Sequence, residues 1–451
     1  MKKITAALVI AVSLVGLEST LMAETAQTQA SLPVHWDTEQ LFKAPATYPA
    51  EGLSEEGVTG IFFEGLPLAG KPTRVFAWYG LPEGASAEKK VPGMVLVHGG
   101  GGTAFAHWVR MWNQRGYAAI AIDWGGCIPR KPADPASAPI RSNSTPGLQA
   151  TTSASAPATQ PAKVTGPPWT SHEWAGPKGP TFAEVLDTPV EDQWNYHAVA
   201  AVILSHSLLR SMPEVDADRT ALTGISWGGY LTCLTSAVDN RFKFAIPVYG
   251  SGFLGEESIW MPTFKEIGPE KTARWLTLWD PSQYLPSVSL PMLWLGGPTD
   301  QCYPFNTFSR SYRLPSGPRV VSTPTALKHS HEDGWAPPEI CAYADSMFKC
   351  GQALAKVVSQ NREDKNGQTF VTVTFEMPPG PARIIWSELA FTTDSCPWMK
   401  RAWFLAAPEL KIRDHTVRCV LPEKATAYYF NLIDSRGLCV SSELVDLANP
   451  R

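Results

Sequence analysis

Short, almost wholly apolar runs alternate along this chain with segments whose apolar residues recur at helical spacing. Val58 to Phe63 and Thr73 to Tyr79 are β-rich runs joined by a Gly/Pro/Lys turn, which predicts an antiparallel hairpin forming one edge of a sheet. Gly93 to Val97 is a continuous apolar run ending at His98, the pattern of a parallel strand covered on both faces by helices. A helical stretch from Phe105 to Arg115 and a second buried run, Ala118 to Asp123, complete one βαβ unit. The alternation resumes with a helix from about Asp192 to Arg210, a short strand at Thr220 to Thr223 and a helix at Tyr230 to Ala237. Phe244 to Val248, Pro291 to Leu295 and Arg319 to Ser322 read as further strands, and Pro337-Pro338-Glu339 opens a last helix, since proline is tolerated in a first turn. The expected fold class is therefore α/β, with a mostly parallel, doubly wound sheet over residues 24–360.

Two segments break this rhythm. Within 128–192 Pro, Ala, Ser and Thr dominate through Lys163 and cannot bury enough surface to order themselves, so the stretch is an insertion. It ends in Trp169-Thr170-Ser171-His172-Glu173-Trp174, whose aromatics either fold back as a lid or pin a surface excursion to the body. After Gln360 a polar linker, 361–368, leads into Thr369 to Phe375, which alternates with period two. Arg383 to Leu389, Ala402 to Leu405, Thr416 to Leu421 and Ala427 to Leu432 continue as short strands, so 369–451 is expected to be a β-sandwich-like domain with a packing or ligand-presenting role.

Composition narrows the function classes. A chain of 451 residues, 44% hydrophobic and 18% charged, has surface for more than one folded unit. Its 38 basic and 42 acidic side chains are intermixed, with no basic stripe to neutralise a nucleic acid or coat an anionic bilayer. Lys2-Lys3, the apolar run Ile4 to Leu17 and Leu21-Met22-Ala23 have the three-part design of a secretory signal peptide, with cleavage after Ala23. Export to the periplasm or the extracellular space is the expectation, without a membrane anchor, because the run is short and no nearby cysteine offers a lipid site. Among the eight cysteines of an exported chain, Cys396, Cys419 and Cys439 sit where a small β domain can use a staple. None has the close CxxC or HxxxH spacing of a zinc site, so no metal and no cofactor are expected.

Candidate chemistry centres on Gly224-Ile225-Ser226-Trp227-Gly228, a G-x-S-x-G directly after a predicted strand and before a predicted helix. A serine on such a turn is strained, and side chains two residues either side would collide with neighbouring backbone. The helix behind it directs the Trp227 backbone N–H to where an oxyanion would form. His98-Gly99-Gly100-Gly101-Gly102 offers a second such donor at Gly100 or Gly101. A hydroxyl needs a base, and the base an orienting carboxylate. Asp300, after the strand Pro291 to Leu295, fits the acid; Asp280 and Asp333 fit surface or capping roles. The base is one of His329 and His331, both in the loop after the last strand, with His329 preferred. His98 and His172 read as structural histidines, with substrate contact as the alternative.

These motifs, with Trp194 to Val199, Val215 to Arg219 and Glu339 to Asp345, resemble the acetyl xylan esterase and dienelactone hydrolase-like relatives of the prolyl oligopeptidase group over about Val58 to Lys356. The resemblance implies an α/β-hydrolase fold and Ser-Asp-His hydrolysis of acyl esters, either a small ester or an acetylated polysaccharide. Dienelactone hydrolases proper carry cysteine where Ser226 stands, which disfavours that activity. The insertion and the C-terminal β domain depart from the family pattern. Among seventeen tryptophans, Trp169, Trp174 and Trp260 lie in loops where flat rings could stack on sugar. Two other classes compete. A prolyl oligopeptidase-type serine peptidase would use the same triad, but Glu24 to Val91 cannot encode a gating propeller. A non-catalytic binding protein would have no use for the complete triad inventory.

Overall fold

Residues 32–130 and 169–449 are described by a computed structural model of the chain; the expected signal peptide, 1–23, and the body of the insertion, 131–168, lie outside the described residues. The strands are β1 (Thr47–Glu55), β2 (Val58–Leu68), β3 (Lys71–Gly80), β4 (Val91–Val97), β5 (Ala118–Ile122), β6 (Cys127–Pro129), β7 (Trp169–Ser171), β8 (Val215–Ile225), β9 (Ala245–Val248), β10 (Met292–Leu295) and β11 (Arg319–Ser322). The helices are α1 (Thr38–Leu41), α2 (Ala106–Gln114), α3 (Trp194–Ser211), α4 (Trp227–Val238), α5 (Met261–Ile267), α6 (Pro269–Trp279), α7 (Phe305–Tyr312), α8 (His331–Trp335) and α9 (Pro338–Phe348). Nine strands form one sheet in the order β1-β2-β3-β5-β4-β8-β9-β10-β11, while β6 and β7 make a separate small hairpin. From β5 to β11 every pairing is parallel, and β1 to β3 join antiparallel at the other side.

The apolar runs end up where their composition requires. Met94 to Val97 in β4 and all of β5 are buried, with helices α2 and α3 packed on them. Apolar strands of this kind need cover on both faces, which is why the sheet is layered with helices. The hairpin predicted at the sheet edge does form as β2 and β3, but the edge itself is β1. That strand, TYPAEGLSE, was not legible as one: Pro49 and Gly52 interrupt any period, and its register with β2 shifts between Pro49 and Ser54. Proline is tolerated there because an outermost strand has one side unpaired.

The C-terminal strands are β12 (Lys356–Lys365), β13 (Gln368–Glu376), β14 (Ile384–Thr392), β15 (Phe404–Ala406), β16 (Glu409–Lys411), β17 (Thr416–Val420), β18 (Ala427–Asp434), β19 (Cys439–Ser441) and β20 (Val445–Asp446). They form two antiparallel sheets, β12-β13-β17-β16 and β15-β14-β18-β19, with β20 also on β18. The expected linker 361–368 is instead the tip of the β12–β13 hairpin. Asn366 and Gly367 turn it with φ of 53° and 75°, the left-handed pair that suits a two-residue hairpin. Arg362 to Lys365 read as linker because they are charged, and charge is what an exposed edge strand carries to resist further pairing.

Among the described residues, the α/β layer and the C-terminal sheets belong to one compact unit. The junction is buried and hydrogen-bonded. Tyr429 Oη donates to the Thr323 carbonyl at 3.0 Å, Ser441 Oγ accepts from the Thr323 amide at 2.8 Å, and the Cys439 amide donates to Glu339 at 2.6 Å. All eight cysteines are unpaired, so Cys396, Cys419 and Cys439 supply no staple. Packing against the larger layer takes its place: Phe305 stands edge-on to Tyr429 with centroids 5.2 Å apart. No helix among the described residues is long and apolar enough to cross a membrane.

Candidate active site

Strand order reverses at β4: the chain passes to β5 on one side, and β8 fills the other. A crevice opens beyond the carboxyl ends of strands at such a switch point. Ser226 sits in it, immediately after β8 and before α4, with φ 56° and ψ −115° and its surface partly open to solvent. A non-glycine residue in that conformation costs about 1–3 kcal/mol and persists only if its surroundings hold it. Here the Ser226 amide donates to the Val248 carbonyl at 2.8 Å, and its own carbonyl accepts from Tyr230 at 2.8 Å.

The flanking glycines are required by contact. A Cβ on Gly228 would lie 1.9 Å from the Val97 carbonyl oxygen, and one on Gly224 would lie 2.1 Å from the Gly228 oxygen. Both obstacles are backbone and cannot swing away. Gly228→Ala should therefore lower stability by about 3 kcal/mol, read as a lower denaturant midpoint; an unchanged midpoint would refute this account of the elbow.

Two side chains from other loops line up behind Ser226. His329 Nε2 lies 2.9 Å from Ser226 Oγ, and His329 Nδ1 lies 2.8 Å from Asp300 Oδ2. Asp300 is fixed in turn by the Cys302 and Tyr303 amides, which donate to Oδ1 at 2.7 and 2.8 Å. Burial alone would lower the proton affinity of His329, but the Asp300 carboxylate outweighs it and pushes the imidazole up to about 10. The Tyr249 ring stacks on the imidazole at 4.4 Å, held by its hydroxyl to the Lys328 carbonyl.

His331 does a different job. Its Nε2 accepts from the Gly99 amide at 3.0 Å, tying α8 to the glycine turn. Burial pushes its pKa down to about 4, which keeps the ring neutral and Nε2 free to accept. Close approach explains the glycines: a Cβ on Gly102 would lie 2.7 Å from that same Nε2, and one on Gly100 would lie 2.9 Å from the Trp227 ring. Gly100 and Gly101 are exposed to solvent. Trp227, as the first residue of α4, has an amide with no acceptor inside its helix.

This is the α/β-hydrolase fold. No protein-family model and no curated protein matches the chain. Among solved structures, an acetyl xylan esterase from Paenibacillus sp. R4 aligns with a TM-score of 0.44 and 20% identity, covering 65% of this chain and 87% of that one. Acetyl xylan esterase 1 from Thermoanaerobacterium sp. JW/SL YS485 aligns with a TM-score of 0.45 and 14% identity, covering 71% and 96%. A Pyrococcus horikoshii acylaminoacyl peptidase aligns with a TM-score of 0.41 and 19% identity, covering 61% of this chain and 38% of the peptidase. These are likenesses of backbone course, and the chemistry rests on the site's own atoms.

Of the three candidate sugar-stacking tryptophans, two flank the crevice. Trp260 stands 4.9 Å from both Trp227 and Tyr303, and Trp169 lines a cavity beside Gly101 and Gly102. Trp174 does not reach it. Its carbonyl accepts from the Arg74 amide at 2.8 Å and its ring lies under the Arg74 guanidinium at 4.4 Å, so it is pinned to β3. His172 packs on Phe62 at 5.0 Å, and His98 stacks on Trp124 at 4.6 Å with Nδ1 2.7 Å from the Gly99 carbonyl. Both are held structurally, although His98 also lines that cavity. Asp280 caps rather than faces solvent: it is buried and accepts from Phe253, Leu254 and Ser282. Asp333 lies in the first turn of α8, where its amide donates to the Ser330 cap at 2.9 Å.

Several residues of the site carried no sequence signal. Asp123, buried below the turn, accepts from Thr103 Oγ1 at 2.8 Å and from the Gly125 and Cys127 amides at 2.9 and 2.7 Å. Burial raises its pKa to about 6. Tyr249 and Tyr303, which flank His329, follow strands or turns with nothing in their spacing to mark them. Cys302 places its sulfur with Asp300 and His329 so that possible ligand atoms lie within 4.8 Å of one another. Two of those three groups are already engaged with each other in the line to Ser226. A cavity of about 920 Å³ lies where the main layer meets the C-terminal sheets, beside Arg310, Gln360 and Tyr428, and none of the Ser226 group lines it.

Proposed function

We propose that this protein is an exported serine ester hydrolase that removes acetyl groups from carbohydrate through an acyl-enzyme. One observation carries the reading: a continuous line from Asp300 through His329 to a strained Ser226 at a helix N-terminus. Ser226 Oγ attacks the ester carbonyl while His329 Nε2 takes its proton. The oxygen that becomes negative is met by the Trp227 amide and by that of Gly100 or Gly101. His329 returns the proton to the departing alcohol, then activates the water that frees acetate. Asp300 keeps Nδ1 protonated and the ring aimed. Export is motivated by the signal-like residues 1–23, and carbohydrate by Trp169 and Trp260 beside the crevice.

The protein recovered from the periplasm or medium of its host should begin at Glu24, acquire one fluorophosphonate adduct at Ser226, and release acetate from acetylated xylan. A precursor-length cytoplasmic protein would remove the export reading. An adduct at Ser226 with cleavage of proline-containing peptides, and none of acetyl esters, would move the assignment to the peptidase class.

A further inference from the structure

The glycine turn has two sides. One faces Ser226: a Cβ on Gly99 would lie 3.0 Å from the Ser226 Cβ. The other, at Gly101 and Gly102, opens into a cavity of about 350 Å³ walled by His98, Trp124, Trp169 and Lys178. A ligand in that cavity therefore lies against the same turn that would stabilise the reacting oxygen. Its volume is at the small end of natural ligand sites, which run from about 300 to 1,000 Å³. An acetyl group fills little of it, so the cavity suits the alcohol half of an ester.

The lining specifies more than size. Trp169 is half-buried and offers a flat face, and Thr170 and Ser171 add hydroxyls. His98 is kept neutral by burial, which pushes it down to about 4. Lys178 is the one charged residue of the lining; it is exposed and has no carboxylate partner among the described residues. A neutral, hydroxyl-bearing wall with one free ammonium is complementary to a polyhydroxylated ring that carries a negative group.

We infer that the cavity beside Gly101 and Gly102 holds an anionic sugar unit of the substrate, its ring against Trp169 and its carboxylate or sulfate on Lys178. This deepens the ester-hydrolase reading and rests on it. The test compares acetylated galacturonan, the same polymer after carboxyl reduction, and an acetylated sulfated galactan, on the wild type, Lys178→Ala and Lys178→Glu, with nitrophenyl acetate as an uncharged substrate that offers Lys178 no anion to bind. The wild type should favour the acidic polymers over the neutral one by about fivefold in kcat/KM, mainly through KM, with the gain fading as salt rises. Lys178→Ala should abolish the preference and Lys178→Glu reverse it, both leaving nitrophenyl acetate turnover unchanged. A carboxylate-only or sulfate-only preference identifies which anion is bound. Equal use of acidic and neutral polymers by the wild type, or a preference that survives Lys178→Glu, overturns the subsite. If nitrophenyl acetate itself is not cleaved, the hydrolase reading fails, and the subsite is decided by calorimetry: a galacturonic acid oligomer must bind the wild type and lose affinity in Lys178→Glu, and no binding rejects it.

Discussion

Alanine at Ser226 or at His329 is expected to reduce kcat on nitrophenyl acetate by about 10⁶-fold, and the double variant by no more than either alone. The hydroxyl and the imidazole are 2.9 Å apart and act as one unit. Without the base the hydroxyl is a poor nucleophile, and without the hydroxyl the base has no covalent route to serve. His331→Ala should behave differently, with a loss of about 10²-fold. It frees the Gly99 amide and loosens the turn without touching the proton path. Steady-state rates on variants with wild-type circular dichroism decide the matter. A millionfold loss at His331 with a mild one at His329 would reverse the assignment of the base, and wild-type turnover by Ser226→Ala would remove the covalent mechanism altogether.

The competition between these two histidines shows what sequence spacing can and cannot resolve. Both lie in one loop, two residues apart, and either could reach a serine at the sheet's edge. The choice depends on how the loop enters α8: Ser330 caps that helix, so His331 already belongs to its first turn and points at Gly99, while His329 stays on the loop beside Asp300. The parallel strands were legible because burial on both faces demands uninterrupted apolar residues, and the elbow because close backbone approach demands Gly224 and Gly228. The edge strand β1 and the charged hairpin at 361–368 were not legible, since edge positions are selected for irregularity and charge rather than for period. Trp174 illustrates a further limit. An aromatic in a loop is equally suited to a substrate and to a neighbouring guanidinium, and here Arg74 claims it. Most of the other tryptophans, Trp194, Trp275, Trp279 and Trp294 among them, are buried in the core.

Asp300→Asn should lower the plateau of kcat/KM by about 10⁴-fold and move its acid limb to lower pH. Two opposing influences set the proton affinity of His329. Burial disfavours the charged ring, and the Asp300 carboxylate at 2.8 Å more than compensates, taking the group from its ordinary 6.5 up to about 10. Only the neutral ring can accept the Ser226 proton, so activity in the wild type rises with pH along a limb governed by that raised value. An amide in place of the carboxylate removes the compensating charge and leaves the burial, hence the downward shift. It also removes the acceptor that holds hydrogen on Nδ1. The side-chain NH₂ can then donate to Nδ1, leaving hydrogen on Nε2 where Ser226 needs a lone pair, and the plateau falls even though the ring keeps its stacking on Tyr249. The measurement is a pH–rate profile of both proteins on one small ester. A plateau retained within tenfold would mean that Asp300 does not orient the base; a lost plateau with an unmoved limb would assign that limb to a group other than His329.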